Sequence, residues 1–387
     1  GILKAGGMYD PKDKRGLANF TAGLLDRGTM DHTFQEIAEQ IDFIGASLNL
    51  EATTETISFS TYCLSDNFEQ TLNLVGNILL HPTFPQKEIE KLRGEILTTL
   101  KEEEENPESR SQLEFYSLLY PWEHPYHQDS LRAEEGIRQV SQADILSFYG
   151  QYYRPDSTIL VVVGNVSTAE IQEKVSRIFG TWTAHGKKLP FSIPNIPLPE
   201  KPQTYVVNME NKAEVIVRLG HTGIARGNPD YYACLVMNHI LGGGTFGGRL
   251  TNRLREEKGL TYSVFSYFQT GLGAGPWMTY LQVNPKDVKE AIIEIKENME
   301  DIREKGVTFQ ELKDNQDNLV GSLYLSLESN QDIAGMLCRE ELYGLGLDHV
   351  ELYPFHIRGV KREQVREAAQ EYLHPDRLVT VIVGPYS

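Results

Sequence analysis

Apolar residues recur along this chain at two spacings. At helical spacing they fall at Leu17, Phe20 and Leu24, and again at Phe34, Ile37, Ile41 and Ile44. The first set predicts a short helix over 16–27, stopped by Gly28. The second predicts a helix opened by Thr33 and Glu36 at capping-box spacing and ended by Gly45. Phe68, Leu72, Val75 and Leu79 stripe a helix capped by Ser65. Ile89, Leu92, Ile96 and Leu100 stripe another over 86–104, which runs out in four glutamates and Asn106-Pro107. That charge run reads as a solvated helix end. At a spacing of two, Ile57, Phe59, Thr61 and Cys63 alternate with Ser58, Ser60 and Tyr62, so 47–64 reads as strand.

One stretch occurs twice. Residues 140–164, VSQADILSFYGQYYRPDSTILVVVG, align without a gap with 360–384, VKREQVREAAQEYLHPDRLVTVIVG, at an offset of 220 residues. Each reads as a helix, a Pro-Asp turn and a buried strand, 158–163 in the first copy. Thr83-Phe84 and Thr308-Phe309 echo each other ahead of polar helices. Two copies so far apart imply one domain fold used twice. Between them, 189–203 holds five of the chain's 18 prolines and reads as a stiff extended join. The second copy opens with strands at 204–209 and 214–219. Asn228-Pro229 starts a helix through Ala233, Val236 and Ile240, and 271–283 is again strand. Asn284-Pro285 opens a long helix stopped by Gly306, with more helix through Leu312, Leu319, Leu323 and Leu325 and over 334–342. The expected fold is α+β: two homologous domains, 1–186 and 204–387, each a mostly antiparallel sheet with helices packed on it, joined by a linker over 187–203.

At 387 residues the chain is too long for one ordinary core. A net charge of −17 argues against nucleic acid and anionic membrane as partners. The longest apolar runs, such as 159–163, are too short to span a bilayer. Cys63, Cys234 and Cys338 lie far apart and read as small core residues. The opening GILKAGG looks like the middle of a strand, so a leader or first strand is expected upstream.

Candidate chemistry concentrates in 241–268, LGGGTFGGRLTNRLREEKGLTYSVFSYF. It reads as a glycine loop, a short helix with Leu250 and Leu254 on one face, a break at Gly259 and a strand from Thr261 to Phe268. Tyr262, Val264, Ser266 and Phe268 are expected on one side of that strand. Arg255 closes the helix and Tyr262 opens the strand. The turn between them would bring a guanidinium and a phenol to one open edge, both able to donate to a carbonyl. The same residues also suit a solvated helix-end arginine and a half-buried strand tyrosine. Gly242 to Gly247 satisfies GxGxxG, but a helix rather than a strand precedes it, which speaks against a dinucleotide site. His124 and His127 flank a proline and read as a structural loop. No P-loop, GxSxG or HExxH sequence occurs.

The segment GLANFTAGLLDRGT, 16–29, resembles the opening helix of the insulinase/pitrilysin family of zinc peptidases, which includes the mitochondrial processing peptidases. The turn over 7–11, the Pro-Asp strand closing each half and the Gly-rich-Arg…Gly-Leu-x-Tyr stretch extend that resemblance over nearly the whole chain. In the family an inverted H-x-x-E-H motif supplies two zinc ligands and the base, and a later glutamate supplies the third ligand. Asn19, Ala22 and Gly23 stand at the motif positions here, and Thr98 at the third ligand. The resemblance therefore implies no zinc site and no general base in this chain. It also implies that Arg255 and Tyr262, with the loop of Gly243, Gly244 and Arg249, hold substrate peptide.

Some members of the family work as two unlike chains, one carrying the metal and the other only the Arg/Tyr pair. This chain looks like the second kind. The expectation is a metal-free partner subunit of a heterodimeric zinc metallopeptidase, inactive alone, with zinc in an H-x-x-E-H homologue and a peptide as substrate. The alternative is a catalytically silent structural or peptide-binding subunit of a larger assembly. The family resemblance favours a bacterial periplasm or cell envelope.

Overall fold

Helices form where an apolar stripe meets a workable start. The Thr33 hydroxyl accepts the Glu36 N–H and the Glu36 carboxylate accepts the Thr33 N–H at 2.8 Å, so the capping box is closed at both ends. Asn106 accepts the N–H groups of Glu108 and Ser109, and Pro107 occupies the first helical position, where a missing N–H costs nothing. The computed structural model describes residues 1–188, 190–244 and 247–386. Leu189, the first residue of the expected proline-rich join, lies outside the described residues.

In chain order the first half contains β1 (Ile2–Leu3), α1 (Leu17–Ala22), α2 (Phe34–Ile44), β2 (Ser47–Ala52), β3 (Ile57–Tyr62) and α3 (Phe68–Leu80). There follow α4 (Gln86–Glu105), α5 (Pro107–Leu119), α6 (Ser130–Gln139), α7 (Gln142–Tyr152), β4 (Thr158–Ile159) and α8 (Thr168–Phe179). The second half contains β5 (Gln203–Asn208), β6 (Val215–Thr222), α9 (Tyr231–Asn238), β7 (Thr261–Phe268), β8 (Pro276–Val283) and α10 (Val288–Lys305). It ends with α11 (Phe309–Leu325), α12 (Asn330–Tyr343), α13 (His349–Gly359), α14 (Arg362–Tyr372) and β9 (Val379–Gly384).

Two sheets result. One has the order β2-β3-β1-β4 and is antiparallel throughout. The other has the order β5-β9-β6-β8-β7, with β5 parallel to β9 and every other pairing antiparallel. Setting β1 beside β6, β2 beside β7, β3 beside β8 and β4 beside β9 makes the first order that of the second sheet without β5. The repeat seen in the residues is thus a repeat of topology, and α7 and α14 keep the offset of 220. Each sheet has its own core. Leu3, Phe20, Leu24, Ile57 and Ile78 centre one, and Val217, Leu241, Leu281, Ile295 and Ile302 centre the other. The fold is α+β.

The compact units interleave along the chain. One comprises 1–101, 130–191 and 326–347; the other comprises 102–129, 192–325 and 348–387. Helix α5, from the first half of the sequence, therefore belongs to the unit built on the five-stranded sheet, where it packs on β6 and β9. Helix α12, from the second half, belongs to the other unit and meets β4. The break at 191/192 falls inside the proline-rich stretch.

Several expectations need correction. Residues 47–64 are a hairpin, not one strand: Thr53 accepts the Thr56 N–H at 3.0 Å and closes the turn between β2 and β3. Helix α3 starts at Phe68 after a 3-10 turn over Ser65–Asn67, with no side-chain cap from Ser65. Of the expected strand 158–163, Thr158–Ile159 is paired among the described residues, with Leu3 and Ile2. Helices α5, α6, α8 and α13 were not anticipated from the periodicity. The His124 loop is structural, as expected. His124 Nε2 lies 2.8 Å from the Pro194 carbonyl and its ring stacks on Tyr120. Among the described residues, no helix is long and apolar enough to cross a membrane.

His221 on β6 gives the five-stranded unit a pH dependence. Its buried ring stacks on Trp277. Nδ1 sits 2.8 Å from the Thr222 carbonyl and carries the proton, while Nε2 accepts the His374 N–H at 3.1 Å. Burial pushes its pKa from 6.5 down to about 3. Below about pH 6.5 the unfolded chain gains a proton that the native ring refuses, so stability falls as pH drops from there toward 3. Thermal melts across that range should show this decline, and it should be shallower in His221→Gln. The imidazole resonances of His221 should stay those of a neutral ring at pH 5.

Candidate functional site

The expected metal-site positions lie on α1 and α4 of the first unit. Helix α1 is only six residues long, and five of them are buried. Asp10 holds its start: one carboxylate oxygen accepts the Gly16 N–H and the other the Ala18 N–H, each at 2.8 Å. Asn19 is exposed, whereas Ala22 is fully buried in the core. Gly23 follows the helix, and a Cβ there would meet Leu92 at 3.1 Å. Thr98 turns its hydroxyl back to the Gly94 carbonyl at 2.9 Å. One turn earlier on α4, Glu95 pairs with Arg27 at 2.7 Å, and Arg27 also donates to the Gly23 carbonyl at 3.1 Å. These positions offer an amide, a methyl, a hydrogen and an already bonded hydroxyl. Zinc in proteins takes thiolate, imidazole or carboxylate, so the donor set does not fit it.

The Arg/Tyr stretch belongs to the other unit. Helix α9 passes into a π-helical turn, His239–Gly243, and a second π-helical turn spans Thr251–Glu257. Thr245 and Phe246 of the glycine run lie outside the described residues. Gly243 is required by packing, since a Cβ would meet the Asn238 amide nitrogen at 2.8 Å. That buried amide donates to the Ser266 carbonyl at 2.8 Å and accepts from Ser266 Oγ and Trp277 Nε1, both at 2.9 Å. At Gly244 a Cβ would come within 3.1 Å of the His239 ring. The glycines thus let this turn close on β7. A cavity of about 190 Å³ lies beside them, lined by Leu235, His239, Gly243, Ser266, Tyr267 and Phe268 among others.

Of the cations that follow, three are tied into the fold. Arg249 donates to Glu311 at 2.8 Å, Asp301 at 2.9 Å and the Gly306 carbonyl at 2.9 Å. Arg253 and Lys258 both reach the buried Glu294, at 2.7 and 2.5 Å. Burial is the largest single influence on that carboxyl and raises its pKa, but the hydrogen bonds and charges of Lys258 and Arg253 together outweigh it and hold the pKa below the usual range. Arg249, expected in the substrate loop, places its donors on Glu311, Asp301 and Gly306 and so clamps this turn to α10 and α11.

Arg255 is placed differently. Among the described residues its guanidinium meets only the adjacent Glu256, at 3.3 Å, and the ring of Tyr262, whose centroid is 4.8 Å from Cζ. Gly259, at φ 62°, makes the intervening turn, and the Leu260 N–H returns to the Leu254 carbonyl at 2.8 Å. Arg255 and Tyr262 are therefore brought together. The expected alternation of β7 fails at its start. Thr261 pairs with Val283 and Ser263 with the next residue, Gln282, so Tyr262 is the extra residue of a β-bulge. Val264 and Ser266 are 7% and 1% exposed, but Tyr262 is 83% exposed. Sequence reasoning missed the bulge and the acidic anchors Glu294, Asp301 and Glu311.

The chain thus pairs two copies of one α+β topology, the first without zinc-ligand side chains at Asn19, Ala22, Gly23 and Thr98 and the second with an exposed Arg/Tyr pair. Residues 2–121 match the family profile described as Insulinase (Peptidase family M16), and residues 139–319 match that described as Peptidase M16 inactive domain. The chain belongs to the insulinase family of peptidases, M16, and lacks its H-x-x-E-H motif. The uncharacterized zinc protease YmxG of Bacillus subtilis (strain 168) is 27% identical over 337 residues, covering 84% of this chain and 78% of its own. The crystal structure of a peptidase M16 inactive domain from Pseudomonas fluorescens superposes with a TM-score of 0.91 at 28% identity, covering 99% of this chain and 92% of that one. The periplasmic protease PqqL of Escherichia coli shares the fold, with a TM-score of 0.81 at 18% identity over 99% of this chain and 42% of its own.

If Arg249 is a clamp, removing it should loosen the fold. Arg249→Ala should cost roughly 1–3 kcal/mol of stability, the range for leaving charged partners unsatisfied. Denaturant melts read this directly, and an unchanged midpoint would return Arg249 to the list of free cations.

Proposed function

We propose that this chain is the metal-free partner subunit of a two-chain zinc metallopeptidase, supplying Arg255 and Tyr262 to the binding of substrate peptide. The observation that carries this reading is the bulge that leaves Tyr262 exposed beside Arg255 while the neighbouring cations are anchored elsewhere. A phenol O–H held next to a guanidinium can donate to a peptide carbonyl oxygen as it gathers negative charge. The guanidinium holds the peptide backbone and adds positive potential at the same place. The lack of imidazole and carboxylate at Asn19, Ala22, Gly23 and Thr98 supports a reading in which an H-x-x-E-H homologue would bring metal and base.

The purified chain should carry no stoichiometric zinc by elemental analysis and should leave peptides intact. Mixed with a ligand-bearing homologue, it should form a complex that cleaves peptide. In that complex Tyr262→Phe should lower kcat by about 10²-fold, as loss of one oxyanion donor does, with assembly unchanged by size-exclusion chromatography. Arg255→Ala should act mainly on KM. Full turnover by the Tyr262→Phe complex would leave only the reading of a catalytically silent subunit.

A further inference from the structure

We propose that Thr261 is a positioning residue whose hydroxyl holds the bulge and so keeps Tyr262 turned out of the core. The proposal rests on the reading of Tyr262 as a peptide contact. The starting point is parity. On β7 the buried positions are Thr261, at 7% exposure, then Val264 and Ser266. Residues 264 and 266 keep the strand's period of two, but 261 and 264 are three apart. A regular strand would place Tyr262 on the same face as Val264 and Ser266, beneath the helices. One inserted residue reverses that assignment upstream of Ser263: Thr261 goes in and Tyr262 comes out.

Such an insertion leaves ladder groups without partners, and buried backbone groups need them. The Thr261 side chain provides them. Its Oγ1 accepts the Ser263 N–H at 3.1 Å. As a donor it lies 2.5 Å from the Gln282 carbonyl and 2.8 Å from the Ser263 carbonyl. The hydroxyl thus stands where the next ladder bond would have been, and bridges the bulged strand to β8. Valine has the same shape without the oxygen. In Thr261→Val the Ser263 N–H and the Gln282 carbonyl lose their partner. Strand β7 then lowers its free energy by pairing Tyr262 regularly and drawing the ring inward.

The test compares wild type, Thr261→Val and Thr261→Ser by nitration with tetranitromethane, read peptide by peptide by mass spectrometry. Tyr324, exposed on α11, is the internal reference. Thr261→Val should lower nitration of Tyr262 several-fold relative to Tyr324, and Thr261→Ser, which keeps the hydroxyl, should restore it. Folded Thr261→Val with wild-type nitration of Tyr262 would overturn the proposal. Should that variant not fold, amide exchange in the wild-type protein decides: the Ser263 N–H should be as protected as its neighbours on β7, and free exchange there would overturn the proposal equally. Neither readout involves peptide cleavage. A failure of Tyr262→Phe to slow turnover would remove the functional reading and leave the nitration result standing.

Discussion

A strand roofed by helices can offer only one of its two parities to solvent, and Val264 and Ser266 commit the even positions of β7 to the core. Everything distinctive about the candidate site follows from the need to break that rule once. The bulge at Tyr262 breaks it at the first turn of the strand, where only one ladder step is disturbed. Placed further along, the same insertion would misalign Ser266, and with it the buried Asn238 amide that ties β7 to α9 and to Trp277. The position of the irregularity is thus set by the polar network downstream of it.

Charge does for the helical side what hydrogen bonding does for the strand. A seven-residue π-helical turn has little stability of its own. Arg249, Arg253 and Lys258 fasten it to Asp301, Glu311 and Glu294 on the two helices beneath. Ion pairs at the surface are weak, but Glu294 is buried and shared by two cations, which favours one geometry over its neighbours. Arg255 faces away from these acids. Its orientation is therefore a consequence of where the other three cations are held, and the short Gly259 turn then delivers it to Tyr262.

How far the sequence could be read depended on whether the decisive interaction was local. The capping box at Thr33 and Glu36, the stop at Gly306 and the α7/α14 repeat are local, and each was legible. The α+β duplication followed from the repeat. Helix α5 announced itself through Asn106-Pro107, yet the glutamate run before it drew that dipeptide into the end of α4. Strand 158–163 and β9 carry nearly the same apolar run, yet β9 lies between β5 and β6 while β4, among the described residues, pairs with β1 at Thr158–Ile159. Pairing of that kind is not written in the segment itself. The adjacency of Arg255 and Tyr262 could be inferred from the turn between them. The bulge could not, because it depends on a pairing with Gln282 and Val283 some twenty residues away.

The same distinction explains how α1 can be stable without metal ligands. In a protein whose metal site is also a structural tie, binding contributes to folding, and loss of the ligands would unfold the segment. Helix α1 is too short to persist alone. Here it is held from three directions by other means. Asp10 satisfies the N–H groups at its start, five of its six residues are buried, and Arg27 joins the turn after it to Glu95 on α4. Ala22 sits in the core, where a glutamate would be a buried charge without a partner. A side chain at 23 would press on Leu92, and one larger than alanine at 22 would start from a fully buried position. The packing around α1 is thus complete without a metal ion.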